Sequence, residues 1–163
     1  PAEDMMDTKA IENAADDKAK PLEIDVADLD AADESTMTVV VGGKLTTWIW
    51  TFAGPGHERT IAQSNRYSRD VLHDTKEKEQ ARVNGKKWKA TEETPDEVKR
   101  KNVTYVVERL LRWSPVKLNG QDLEFSADAA IKLLLDPRKG ALLQQALEFL
   151  NEDKSFIKRS ATS

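Results

Sequence analysis

The chain has 163 residues, a formal charge of −4, an apolar fraction of 39% and a charged fraction of 33%. That length suits one ordinary domain, and an apolar share below the usual ~45–50% builds a core only if part of the chain stays outside it. The absence of cysteine excludes a disulfide framework, a thiolate metal site and a cysteine nucleophile, and no apolar run approaches the ~18–20 residues of a membrane span.

The start, Pro1-Ala-Glu-Asp4, has neither the basic region nor the apolar stretch of a signal peptide. The expectation is a cytoplasmic protein whose initiator methionine was removed. Its charge is unevenly spread. From Pro1 to Glu34 there are 12 acids against Lys9, Lys18 and Lys20, a balance of −9. Of the chain's 29 acids and 25 bases, 17 and 22 then remain, a balance of +5. Large apolar residues in the first segment are too few to offset its ordering entropy, so residues 1–35 are expected to form an extended, flexible acidic arm. Within it Leu22, Ile24 and Val26 alternate with Glu23 and Asp25, the period-2 pattern of an edge strand or of a strand donated to a partner. The plainer reading is a solvated acidic leader.

Order is expected from Thr36. Thr36–Val41 and Leu45–Ala53 are β-branched and aromatic, and Gly42-Gly43 between them predicts a hairpin over 36–53. In the second run Trp48, Trp50 and Phe52 share one face, which either covers the following helices or meets another protein. Gly54-Pro-Gly-His57 breaks the chain, and a helix follows from Glu58 to about Gln80 with only a thin apolar stripe (Ile61, Ala62, Val71, Leu72). Thr94-Pro95-Asp-Glu97 has the cap, first-turn proline and early acids of a helix start. The helix it opens is expected to run to Trp113, with Val103, Val106, Val107, Leu110 and Leu111 on its apolar face, and to stop before Ser114-Pro115. Val116–Phe125 is short and centred on an Asn119-Gly120 turn. Ser126 caps a helix to Leu135, Asp136-Pro137 breaks it, and a last helix runs over about 138–151 with Leu142, Leu143, Ala146, Leu147 and Leu150 at helical spacing. The fold class expected is mainly α with a small N-terminal β-hairpin (α+β): a single mainly helical domain over 36–157 and a short tail, 158–163.

No reactive constellation emerges. His57 and His73 do not stand at a metal-ligand spacing, Gly54-Pro-Gly56 is too short to cradle a phosphate, and the carboxylates are dispersed. No catalytic, cofactor-binding or metal-binding residue is assigned, and the chain is read as a non-enzyme. Bases cluster between Arg66 and Lys89, but Asp70, Asp74, Glu77 and Glu79 sit among them, so nucleic acid is not an expected partner. Function is expected to reside in surfaces offered to other proteins, including further copies of the chain. The candidate interaction residues are Trp48, Trp50, Phe52, Val107, Leu111, Trp113 and Leu147, and the faces around Trp48, Trp50, Val107, Leu111 and Leu147 are expected to cover a partner helix in a helix-in-groove mode.

Leu110-Leu-Arg-Trp-Ser-Pro-Val116, Asn119-Gly-Gln-Asp-Leu-Glu-Phe-Ser126, Ala129-Ala-Ile-Lys-Leu-Leu134, Asp136-Pro137 and Phe149-Leu-Asn-Glu-Asp-Lys-Ser-Phe156 resemble the closing segments of tailed-phage tail assembly chaperones. The resemblance covers residues 104–160. It implies a small, largely helical protein of the host cytoplasm that coats the tape-measure protein, keeps it soluble, recruits the major tail protein and is absent from the finished particle. The β-rich 36–53 run and the acidic arm depart from the most compact members. They suit equally a structural virion protein of tail, neck or capsid, held among neighbouring subunits by its arm.

Overall fold

A computed structural model describes residues 20–90 and 92–156; most of the acidic arm and the 158–163 tail lie outside them. The chain divides into two units, Pro1–Asp30 and Ala31–Ser163.

In the first unit the alternating stretch does not form a strand. Val26–Leu29 is a single 3₁₀ turn instead. The Asp25 carboxylate accepts the Ala27 N–H at 2.9 Å, and the Asp28 carboxylate accepts the Asp25 N–H at 3.4 Å. This reciprocal capping satisfies backbone donors locally, which a lone strand without a neighbour does not.

The second unit begins at Ala31, ahead of the expected Thr36, because residues 32–35 are tied into it. The Ala32 N–H donates to the Phe156 carbonyl at 2.8 Å and the Gly54 N–H to the Asp33 carbonyl at 2.7 Å. The Ser35 hydroxyl donates to the Ser155 carbonyl. The expected hairpin follows: β1 (Glu34–Val41) pairs antiparallel with β2 (Lys44–Ala53). Gly42 and Gly43 both take positive φ, 56° and 78°, the two-residue turn that glycine enters without strain.

α1 (Glu58–Val83) starts at His57, whose Nδ1 accepts the Arg59 N–H at 3.1 Å. α2 (Pro95–Arg109) starts as expected at Thr94, whose hydroxyl accepts the Glu97 N–H at 3.2 Å. Its end differs from the expectation. Leu110 turns to extended geometry (φ −79°, ψ 117°), and Leu110–Trp113 becomes β3, pairing antiparallel with β2. The central strand β2 thereby gains a second neighbour, giving a sheet of order β1-β2-β3. Backbone groups of β2 that a hairpin would leave open are paired in this way. Leu111 sits at a register shift between Arg112 and Leu110, so Leu110 and Trp113 both reach the core face.

β4 (Lys117–Leu118) and β5 (Gln121–Asp122) form a small hairpin turned by Asn119 and Gly120, both at positive φ. α3 (Ala127–Leu135) starts at Ser126, whose hydroxyl accepts the Ala129 N–H at 3.0 Å. A 3₁₀ turn, Pro137–Lys139, leads into α4 (Gly140–Asn151), and a second one, Asp153–Phe156, follows it. The fold is α+β. None of the described helices is long and apolar enough to cross a membrane.

One core joins these elements. Met37 and Val39 of β1 and Trp50 and Phe52 of β2 meet Val103 and Val106 of α2, Leu134 of α3 and Leu143 and Ala146 of α4. Fully burying side chains of this size contributes roughly 1.5–3 kcal/mol each. The outer edge of β1 is closed by a side chain: the Gln145 amide accepts the Val40 N–H at 2.8 Å and donates to the Val40 carbonyl at 2.7 Å. An amide placed this way stands in for a fourth strand and blunts an edge open to aggregation.

Candidate protein-interaction surface

The residues singled out from the sequence divide by burial. Trp50 and Phe52 are wholly buried, and Val107 and Trp113 are buried beside them. Trp48, Leu111 and Leu147 are half-buried. Most of this set therefore builds the core instead of an exposed interaction face, and Trp50 and Phe52 are reached only by parting the helices from the sheet.

The aromatic rings explain why. Trp48 meets Trp50 edge-on at 5.2 Å between centroids and Trp113 at 5.5 Å, and Trp113 meets Phe125 at 5.0 Å. From Phe52 the stacking continues through Phe149 at 5.4 Å to Phe156 at 5.6 Å. Period-2 spacing put the β2 aromatics on one face, and α2, α3 and α4 cover it. The indole N–H groups of Trp48 and Trp50 are buried without a hydrogen-bond acceptor among the described residues. The Trp113 N–H donates to the Leu123 carbonyl at 3.1 Å, fixing the small hairpin over the core.

Arg109, the last residue of α2, is buried as well. Its Nε and Nη2 donate to the Ala53 carbonyl at 3.2 and 2.8 Å, and its guanidinium lies 5.0 Å from the Phe156 ring centre. It joins the ends of β2 and α2 to the last described turn. This is a structural role.

No residue of α1 joins this core. This helix has 26 residues and none is buried. Its links to the rest of the unit are polar. Arg59 donates to the Leu110 carbonyl at 3.2 Å, Gln63 to the Tyr105 carbonyl at 3.1 Å and to the Glu108 carboxylate at 3.2 Å, and Arg66 pairs with Glu108. The Glu108 hydrogen bond holds the Arg66 pKa above its ordinary value. Ile61, Leu72 and Val83 follow one another at intervals of eleven residues, about three helical turns, so they share a stripe. The same geometry sets Arg59, Gln63 and Arg66 on the opposite side. All three stripe residues are exposed, Leu72 at 61% and Val83 at 74%. Over the first turns polar side chains meet the body and Ile61 faces away, while from Ser64 to Gln80 every residue of α1 is exposed, polar and apolar alike.

Ile61 and Leu72 belong to the stripe expected from the sequence, whereas Val83 lies beyond that helix's expected end near Gln80, and the direction of the stripe is not written in the sequence. Outside that stripe the second unit also exposes Val41 and Leu45 near the tip of the β1–β2 hairpin, Ile49 further along β2, Tyr67 and Val71 on α1, Trp88 in the loop after it, Val98 on α2 and Leu118 on β4. Lys78 approaches the Trp88 ring to 5.9 Å. His57 is engaged as the α1 cap and His73 pairs with Glu77 at 3.0 Å on the helix surface. Compared with protein-family models, curated proteins and solved structures, the chain gives no match.

Proposed function

We propose that this protein is a tail assembly chaperone of a tailed phage, binding the tape-measure protein and the major tail protein in the host cytoplasm during tail morphogenesis. One observation carries the binding role: α1 spends 26 residues without burying any of them, yet turns Ile61 and Leu72 outward. A helix kept for stability would bury its apolar side. An exposed apolar stripe on a polar-anchored helix is suited to a client helix, which a chaperone of a long helical protein must cover. The tail-assembly setting rests on the resemblance of residues 104–160. The residues that carry it, Trp113, Asn119-Gly120, Phe125-Ser126, Asp136-Pro137 and Phe156, act as packing, turn and cap positions of the second unit.

The second reading is a structural virion protein. The acidic stretch at Pro21–Asp30 exposes Leu22, Val26 and Leu29, and such a segment suits an anchor among neighbouring subunits. Mass spectrometry of purified particles separates the two. Absence from the particle, with co-purification of tape-measure protein from infected cells, supports the chaperone; presence at stoichiometric copy number overturns it in favour of the virion component.

A further inference from the structure

We propose that the distal end of α1 and the loop behind it bind the acidic segment Pro21–Asp30 of a second copy of this chain, linking copies head to tail. Between Lys76 and Lys89 the chain carries six bases (Lys76, Lys78, Arg82, Lys86, Lys87, Lys89) and two acids (Glu77, Glu79), a balance of +4. Arg82 is paired with Glu79 and Lys78 lies near Trp88. Lys76, Lys86, Lys87 and Lys89 have no acidic partner among the described residues. Val83 and Trp88 are exposed among them. The patch is therefore basic with apolar anchors.

Its complement is in the same sequence. Pro21–Asp30 holds Glu23, Asp25, Asp28 and Asp30 and no base, a balance of −4. Leu22, Ile24, Val26 and Leu29 are exposed between these acids. Opposite charge of equal size, interleaved on both sides with apolar side chains, is what a specific docking pair requires. Because donor and acceptor are different surfaces, the contact is heterologous and propagates into a ring or an open filament. A segment of this length buries less than the ~1,200 Å² of a standard interface, so association is weak, concentration-dependent and weakened by salt. The inference does not depend on the tail-assembly role, since it concerns only contacts between copies.

Light scattering of the full chain across concentration at low salt tests it. The mass should rise to at least about twice that of one chain and fall back when salt is added. Glu23→Lys/Asp28→Lys/Asp30→Lys and Lys86→Glu/Lys87→Glu/Lys89→Glu change only exposed positions, and circular dichroism checks that both fold. Each alone should stay at the mass of one chain. Their equimolar mixture should regain the larger mass, because each reversed segment then meets a reversed patch on the other chain. A wild-type chain that keeps the mass of a single copy at every concentration overturns the proposal. So do variants that assemble like wild type, and so does a mixture that stays unassembled.

Discussion

A methyl group added at Gly54 has nowhere to go. A Cβ there would stand 1.8 Å from the Ala32 carbonyl oxygen, with the carbonyl carbons of Ala32 and Asp33 at 3.0 and 3.1 Å. Restoring the 3.4 Å of ordinary contact requires the two backbones to part by roughly 1.6 Å in a close-packed region. That stretches the 2.7 Å bond from the Gly54 N–H to the Asp33 carbonyl beyond useful range and drags on Ala53, whose carbonyl holds Arg109. Overpacking costs about 1–3 kcal/mol and the lost backbone bond about 1 kcal/mol. The expected total for Gly54→Ala is about 2–4 kcal/mol, or a fall in Tm of roughly 8–16 °C for a body of this size. Denaturant and thermal unfolding measure it. Gly140→Ala is the control: Gly140 has helical angles (φ −57°, ψ −32°) and nothing within 4 Å of its Cβ position, so the change should stabilise by about 0.4–1 kcal/mol. A Gly54→Ala protein within about 0.5 kcal/mol of wild type would refute the reasoning, as would a Gly140→Ala protein equally destabilised.

Further expectations follow from the same geometry. Trp50→Phe removes a buried indole N–H that has no acceptor among the described residues, and shedding that donor offsets part of the lost packing. It should cost clearly less than the ~3–5 kcal/mol of Trp50→Ala, as equilibrium unfolding will show. Gln145→Leu strips both side-chain bonds from Val40; about 1–3 kcal/mol of stability and faster aggregation on gentle heating are expected, read by unfolding and turbidity. Asp136 has its carboxyl pKa pushed well below the ordinary range, chiefly by hydrogen bonds from Lys139 and Arg138. A depressed folded pKa means stability that is present above the unfolded pKa and lost as pH falls through the folded one. Asp136→Asn should therefore lower Tm at neutral pH and show a shallower loss below about pH 4 than wild type, seen in Tm against pH.

Local signals in the sequence located most boundaries. Thr94 and Ser126 mark their helix starts because a hydroxyl followed by the right turn needs no tertiary help, and Gly42-Gly43 and Asn119-Gly120 mark their turns for the same reason. Leu110–Trp113 was not legible. Its apolar positions continue the helical stripe of α2, and only the open side of β2, distant in sequence, makes it a strand. The destination of the β2 aromatics was likewise undetermined, since period 2 fixes a shared face and not what covers it. Gly54 reads as a chain breaker, but the approach of Ala32 that forbids a side chain there becomes visible only in the fold. On α1 the stripe was visible and thin, and its outward aim depended on Tyr105, Glu108 and Leu110 offering polar partners to the other side.

The most direct test is co-expression of the tape-measure protein with wild-type chain or with Ile61→Ser/Leu72→Ser. Both positions are exposed, so the variant should fold with a stability within about 0.5 kcal/mol per site of wild type. The wild-type chain should keep the tape-measure protein soluble and co-purify with it, and the variant should lose about tenfold or more of that soluble complex. A variant that holds the tape-measure protein as well as wild type does would contradict the account, as would a wild-type chain that fails to hold it at all.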